Sequence, residues 1–172
     1  MTRKCSKYKR RSWRGISGGS RPDFIIGVPD SGLPLAKAVA GNFPDARYIQ
    51  SQKETDATTK QVFDWSAGEK FQVFSFTRNK KMTMHTESIQ PGSKILVVDD
   101  VIAFGHAGMD YIEELLQRGA IVVGLAAGWD KKFQNEIDAI TNRHYIQVAS
   151  TISVTEMLPD THVRIAPYDS HY

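Results

Sequence analysis

The chain has 172 residues, enough for one domain with a continuous buried core. Hydrophobic residues make up 41% and charged residues 24%, as in ordinary soluble proteins, and no apolar run approaches the roughly 18–20 residues of a membrane span. The single cysteine, Cys5, excludes a disulfide framework and a cysteine-based metal site, and the N-terminus lacks the apolar core of a secretory signal, so a cytoplasmic protein is expected.

The net charge of +3 is unevenly spread. Seven of the 22 Lys and Arg residues (Arg3, Lys4, Lys7, Lys9, Arg10, Arg11, Arg14) fall in residues 1–14 with no acid among them, which leaves 15 basic against 19 acidic groups and a body at −4. Two readings fit this head. One is a nucleic-acid arm with Tyr8 and Trp13 as stacking groups; the other is a solvated tail joined to the fold by the linker ISGGSRP. The expected division is a basic arm over 1–22 and one domain over 23–172.

Residues 24–28 form a short apolar run, residues 29–32 a turn, and Leu35, Ala36, Val39 and Ala40 then recur at helical spacing with Gly41 as a stop. Residues 46–50 read as the next strand, and 51–70 as mostly polar loop. FQVFSF, 71–76, alternates apolar with polar residues and predicts a strand. A second polar segment, 77–93, follows, and a mobile loop is expected within 51–70 or 77–93. ILVV, 95–98, is bounded by PGS and by Asp99, the pattern of a central strand covered on both faces. From about His106 the spacing of Met109, Ile112, Leu115 and Leu116 predicts a helix that Gly119 ends. Residues 120–128 read as another buried strand, 130–143 as containing a helix, and 145–150 as a further strand. Strand and helix alternate, so the expected sheet is largely parallel with helices on both faces.

Ligands of such sheets bind beyond the carboxyl ends of the strands. The turn at 29–32 and the loop at 99–107 both follow strand ends, so the topology brings them to one rim. The second loop feeds a helix N-terminus, where free N–H groups and the dipole favour a phosphate and small residues permit close approach. Asp99 and Asp100 cannot bind a phosphate; they suit sugar hydroxyls or a divalent cation.

ILVVDDVIAFGHA resembles the phosphoribosyl pyrophosphate (PRPP) signature of the type I phosphoribosyltransferases, and VPDSGLP resembles their pyrophosphate loop. The resemblance covers about residues 23–150 and is nearest to the xanthine and related purine enzymes. It implies an α/β type I phosphoribosyltransferase fold, a mostly parallel twisted sheet with helices on both faces and a reduced hood. It implies that Asp99 and Asp100 are the catalytic pair, holding the ribose hydroxyls directly or through Mg²⁺. Ala103, Phe104, Gly105, His106 and Ala107 would wrap the 5′-phosphate, with Phe104 and His106 adding bulk unusual in that loop. Asp30, Ser31 and Gly32, joined by Lys53 and Arg78, would grip the pyrophosphate. WDKKFQ, which resembles a stretch of the xanthine enzymes, would place the base near Trp129, Asp130 and Lys131. Lys60, Lys80 and Lys81 are further loop cations.

The expected reaction is transfer of phosphoribosyl from PRPP to a purine-type base by a soluble homodimer with Mg²⁺. The alternative is a regulator of the same fold that binds PRPP or a nucleotide without catalysis and touches nucleic acid through the arm. ILVVDD also opens receiver domains, but their acid pair lies near the start of the domain, and two acids after a strand can serve simply as turn residues. His85, His144, His162 and His171 lack ligand spacing and are expected at the surface; no zinc is expected. Trp65, Phe71, Phe74 and Phe76 are expected in the core or at a dimer face.

Overall fold

The computed structural model describes residues 20–54, 68–75, 80–103, 106–159 and 162–166. Nine strands are found among them: β1 (Phe24–Gly27), β2 (Arg47–Ile49), β3 (Ser51–Lys53), β4 (Glu69–Ser75), β5 (Lys80–Thr86), β6 (Lys94–Ile102), β7 (Ile121–Lys131), β8 (Gln147–Met157) and β9 (Val163–Ala166). Three α-helices accompany them: α1 (Gly32–Ala40), α2 (His106–Gln117) and α3 (Glu136–His144).

The main sheet has the order β2-β1-β6-β7-β8-β9. Every pairing in it is parallel except β8 with β9. β6 lies between β1 and β7, as its continuous apolar run requires. Alternation along the strands divides the core in two. Ile25, Leu96 and Val98 pack with Ala36 and Val39 of α1 on one face. Ile26, Ile95 and Val97 pack on the other with Tyr111, Ile112 and Leu115 of α2 and Ile137 and Ile140 of α3. Helices thus cover both faces, as the sequence predicts.

Local chemistry sets the joints. Gly27 lies so close to α1 that a Cβ there would stand 2.8 Å from Ala36 Cβ. Gly119, at φ +77°, lets Ala120 N–H return to Leu115 O at 3.1 Å and closes α2.

Several expectations need correction. Segment 51–70 was expected to be loop, but Ser51–Lys53 is β3 and β4 begins at Glu69; residues 55–67 lie outside the described residues. The second polar segment contains β5, antiparallel to both β3 and β4 in a separate three-stranded sheet. Its inward positions are Met82 and Met84, buried between polar neighbours, and methionine carries no strand signature of its own. β8 runs on to Met157, and β9, with exposed Val163 and Ile165, lies in a region to which the pattern assigned no element. His85 and His144 are not at the surface: His85 is buried on β5 beside Glu54, and the His144 side chain is 9% exposed. His162 is exposed; His171 lies outside the described residues. Phe71 is a core residue, stacked edge-on against Tyr111 at 5.1 Å and capped by the Arg118 guanidinium at 4.4 Å; Trp65, Phe76 and the Phe74 side chain are not described.

Candidate functional site

β1 enters the turn at Val28, whose N–H bonds to Val98 O at 2.9 Å, and Gly32 N–H returns to Val28 O at 3.0 Å to start α1. The Pro29–Asp30 peptide is cis. The turn is pressed onto β6: a Cβ on Gly32 would sit 2.9 Å from Val98 O and 3.1 Å from Asp99 Cα. Only glycine permits that approach. From this position Ser31 Oγ donates to Asp100 Oδ1 at 2.9 Å, and Asp30 Oδ2 lies 3.3 Å from Lys53 Nζ on β3. Two segments separated by about seventy residues therefore meet at the rim, with Lys53 joining them. Arg78 lies outside the described residues.

Asp99 and Asp100 do not end the strand, as the pattern suggested; β6 continues to Ile102, so both carboxylates project from regular backbone. Their surroundings differ. Asp99 is buried and accepts the Asp100 N–H at 2.8 Å, whereas Asp100 is partly exposed. Burial, reinforced by Asp100 beside it, pushes the Asp99 carboxyl well above the usual carboxylate range. The two acids are thus unequal: one is a buried group inclined to hold a proton, the other a partly exposed side chain bonded to Ser31.

Ala103 follows as a bend, and α2 begins at His106. Phe104 and Gly105 lie outside the described residues, as do the side chains of His106 and Ala107. What is described is the path: β6 leads within four residues to the N-terminus of a twelve-residue helix, where unpaired N–H groups attract anions.

Trp129, Asp130 and Lys131 extend β7 beyond its predicted end. Val101 is in register with Trp129 and Ile102 with Asp130, so this stretch runs beside the acid pair. A Cβ on Gly128 would meet Asp100 O at 2.9 Å. Lys131 Nζ stands 5.9 Å from the Trp129 ring centroid. Asp130 turns inward at 1% exposure, and one of its oxygens, Oδ2, accepts the hydroxyls of Ser153, at 2.6 Å, and Ser150. Sequence reasoning missed Ser150, Ser153 and Gly128; small polar residues inside a strand pattern were the only signal.

Among the described residues no three His, Cys, Asp or Glu side chains form a metal group. Two carboxylates with one oxygen ligand each still suit a cation that keeps substrate and water in its shell, as Mg²⁺ does. No described helix is long and apolar enough to cross a membrane.

The model of the phosphoribosyl transferase domain family matches residues 7–151. The chain belongs to that family. This phosphoribosyl transferase domain is 29% identical over 119 residues to the xanthine phosphoribosyltransferase of Clostridioides difficile, covering 67% of the chain and 60% of that protein. It is 28% identical over 125 residues to the xanthine phosphoribosyltransferase of Bifidobacterium animalis, covering 70% and 61%. It spans about 60% of the length of these curated relatives. Its fold is that of the adenine phosphoribosyltransferase of Thermoanaerobacter pseudethanolicus, at TM-score 0.64 and 14% identity over 88% of this chain and 82% of that one. The Giardia lamblia enzyme solved with 9-deazaadenine matches at TM-score 0.64 and 14% identity, over 86% and 78%. The sequence-based expectation of family and fold is borne out.

Proposed function

We propose that the protein transfers the phosphoribosyl group of PRPP to a purine-type base, forming a nucleoside monophosphate and pyrophosphate. A ring nitrogen of the base forms the bond to the anomeric carbon, the bond from that carbon to the pyrophosphate oxygen breaks, and the base's N–H proton passes to solvent. The observation that carries this reading is the joining of the two motifs at one rim by the Ser31–Asp100 hydrogen bond. Relatives named xanthine phosphoribosyltransferase support the base class, and they favour an enzyme over the regulatory alternative.

In this reading Asp99 and Asp100 hold the ribose diol, and Ala103, Phe104, Gly105, His106 and Ala107 wrap the 5′-phosphate at the start of α2. Asp30, Ser31, Gly32, Lys53 and Arg78 hold the pyrophosphate. Trp129, Asp130 and Lys131 mark where the base lies. Such a displacement needs positioning and charge stabilisation more than a strong nucleophile, which suits a rim of carboxylates, amides and a lysine. Asp99 and Asp100 are also the groups that would hold Mg²⁺. That ion, when bound, offsets the charge of the pyrophosphate. The proposal extends to a cytoplasmic homodimer in which residues 1–22 are an accessory arm, with any nucleic-acid contact confined to that arm, and 23–172 the transferase domain.

Labelled PRPP incubated with Mg²⁺ and a panel of purine and pyrimidine bases tests the reaction. Labelled nucleotide with at least one purine is expected; none with any base overturns the proposal.

A further inference from the structure

We propose that Asp130 is a positioning residue that fixes Trp129 and Lys131 by stitching β7 to β8 through the hydroxyls of Ser150 and Ser153. The inference rests on the placement of the base beside Trp129 and Lys131.

The register explains why a side chain is needed there. Trp129 pairs with Ile152, Asp130 with Ser153, and Ala127 with Ser150. The two hydroxyls that meet on Asp130 Oδ2 therefore come from either side of Ile152, the β8 partner of Trp129. On the opposite side β7 is held by β6, because Gly128 fits against the Asp100 carbonyl only for want of a side chain. Residues 128–131 are thus clamped between the strand of the acid pair and β8, just before the chain leaves the sheet in the 3-10 turn Lys132–Gln134. A strand end held only by its backbone ladder frays. Two hydroxyls on one buried carboxylate oxygen are charge-assisted bonds of fixed geometry and resist that fraying.

Direct contact between Asp130 and the base fits the structure less well. The residue is 1% exposed, and its second oxygen, Oδ1, is also buried, with no hydrogen-bond partner among the described residues. It lines a small cavity with Ile102, Lys131, Lys132, Asn135, Ile137 and Asp138, whose lining does not include Trp129. A carboxylate in that setting depends on its two serines: without them a buried charge loses the donors that compensate its desolvation.

The test uses the full chain with Asp130→Asn, which keeps the shape and loses the charge, and with Ser150→Ala/Ser153→Ala, which keeps the carboxylate and loses the donors. Steady-state kinetics should show the KM for the base raised about tenfold in both. The KM for PRPP should stay within about twofold, and the order of preference among bases should not change. Acrylamide quenching of Trp129, in a chain carrying Trp13→Phe and Trp65→Phe, should increase in both variants whether or not the protein turns over. A reordered base preference in Asp130→Asn alone, with the serine variant like wild type, would assign Asp130 to base contact and overturn the proposal. Equal loss for both substrates with a lowered Tm would reduce its role to general stability and also overturn it. Absence of transfer in the wild type refutes the proposed reaction, and Trp129 quenching then decides the positioning claim: unchanged quenching in both variants rejects it.

Discussion

Ser31 and Asp100, 69 residues apart in sequence, are joined by a 2.9 Å hydrogen bond from the serine hydroxyl to Oδ1 of the carboxylate. The bond links the turn after the first strand of the sheet to the acid pair on its central strand.

Ser31→Ala removes a neutral donor from a partly exposed carboxylate. A hydrogen bond to a charged group contributes about 1.5–3 kcal/mol, with partial solvation lowering the figure toward about 1. An increase of about three- to tenfold in the KM for PRPP is expected, with Tm nearly unchanged. Steady-state kinetics with varied PRPP measure it, and an unchanged KM would detach Ser31 from the site.

Gly32→Ala should act on both fold and site. Its Cβ would stand 2.9 Å from Val98 O, and that carbonyl belongs to the central strand and cannot swing aside. A loss of about 1–3 kcal/mol in urea unfolding is expected, as for overpacked interiors. PRPP binding should weaken with it, because the turn must lift away from Asp99. Wild-type stability in the variant would show that the turn is less tightly seated than described.

The raised pKa of Asp99 predicts a pH-dependent penalty. Below about pH 4, the ordinary range for aspartate, the carboxyl is protonated in both the folded and the unfolded chain, and burial costs nothing through this group. As pH rises through that range the unfolded chain ionises while the folded chain retains its proton, so stability falls until the folded carboxyl ionises as well. Asp99→Asn imitates the protonated form and should therefore melt higher than wild type at pH 7 in EDTA. The difference should shrink toward zero as the pH falls to about 3. Thermal melts over this range measure it; a variant less stable than wild type at pH 7 would reverse the assigned sign.

Phe71→Ala tests how the small sheet is anchored. Phe71 lies between Tyr111 and Arg118 of the α2 region, and Arg118 also donates to Lys70 O at 2.8 Å. A loss of about 3–5 kcal/mol is expected from the cavity left in the core. Chemical denaturation measures it, and a loss below about 1 kcal/mol would place Phe71 outside the core.

The legible parts of the sequence were those with strong periodicity or long motifs. ILVV between PGS and Asp99 has the pattern of a doubly covered strand, and Met109, Ile112 and Leu115 have the spacing of a helix face on a core, so the central sheet and α2 followed. The candidate rim was legible for the same reason: both turns follow apolar strands, and parallel topology sends such turns to one edge. β3 was missed because Ser51, Gln52 and Lys53 carry no apolar side chain, and β9 because its four residues lack the unbroken apolar run of β1. β5 was missed because its buried positions are two methionines, a histidine and a threonine, Met82, Met84, His85 and Thr86, which show no apolar alternation. The inward turn of Asp130 was missed for a different reason. Its partners Ser150 and Ser153 lie on another strand, and only the register of β7 against β8 brings them into reach. The burial of His85 likewise depends on two cross-strand neighbours, Gln52 and Lys70, rather than on anything in its own segment.

The central claim is that the acid pair and the Pro29–Gly32 turn together bind PRPP. Calorimetric titration of PRPP with Mg²⁺ into the wild type and Asp100→Asn tests it most directly. Saturable one-site binding by the wild type, weakened at least about tenfold in the variant, is the predicted result. Equal affinity in the two proteins, or no binding by the wild type, would contradict it.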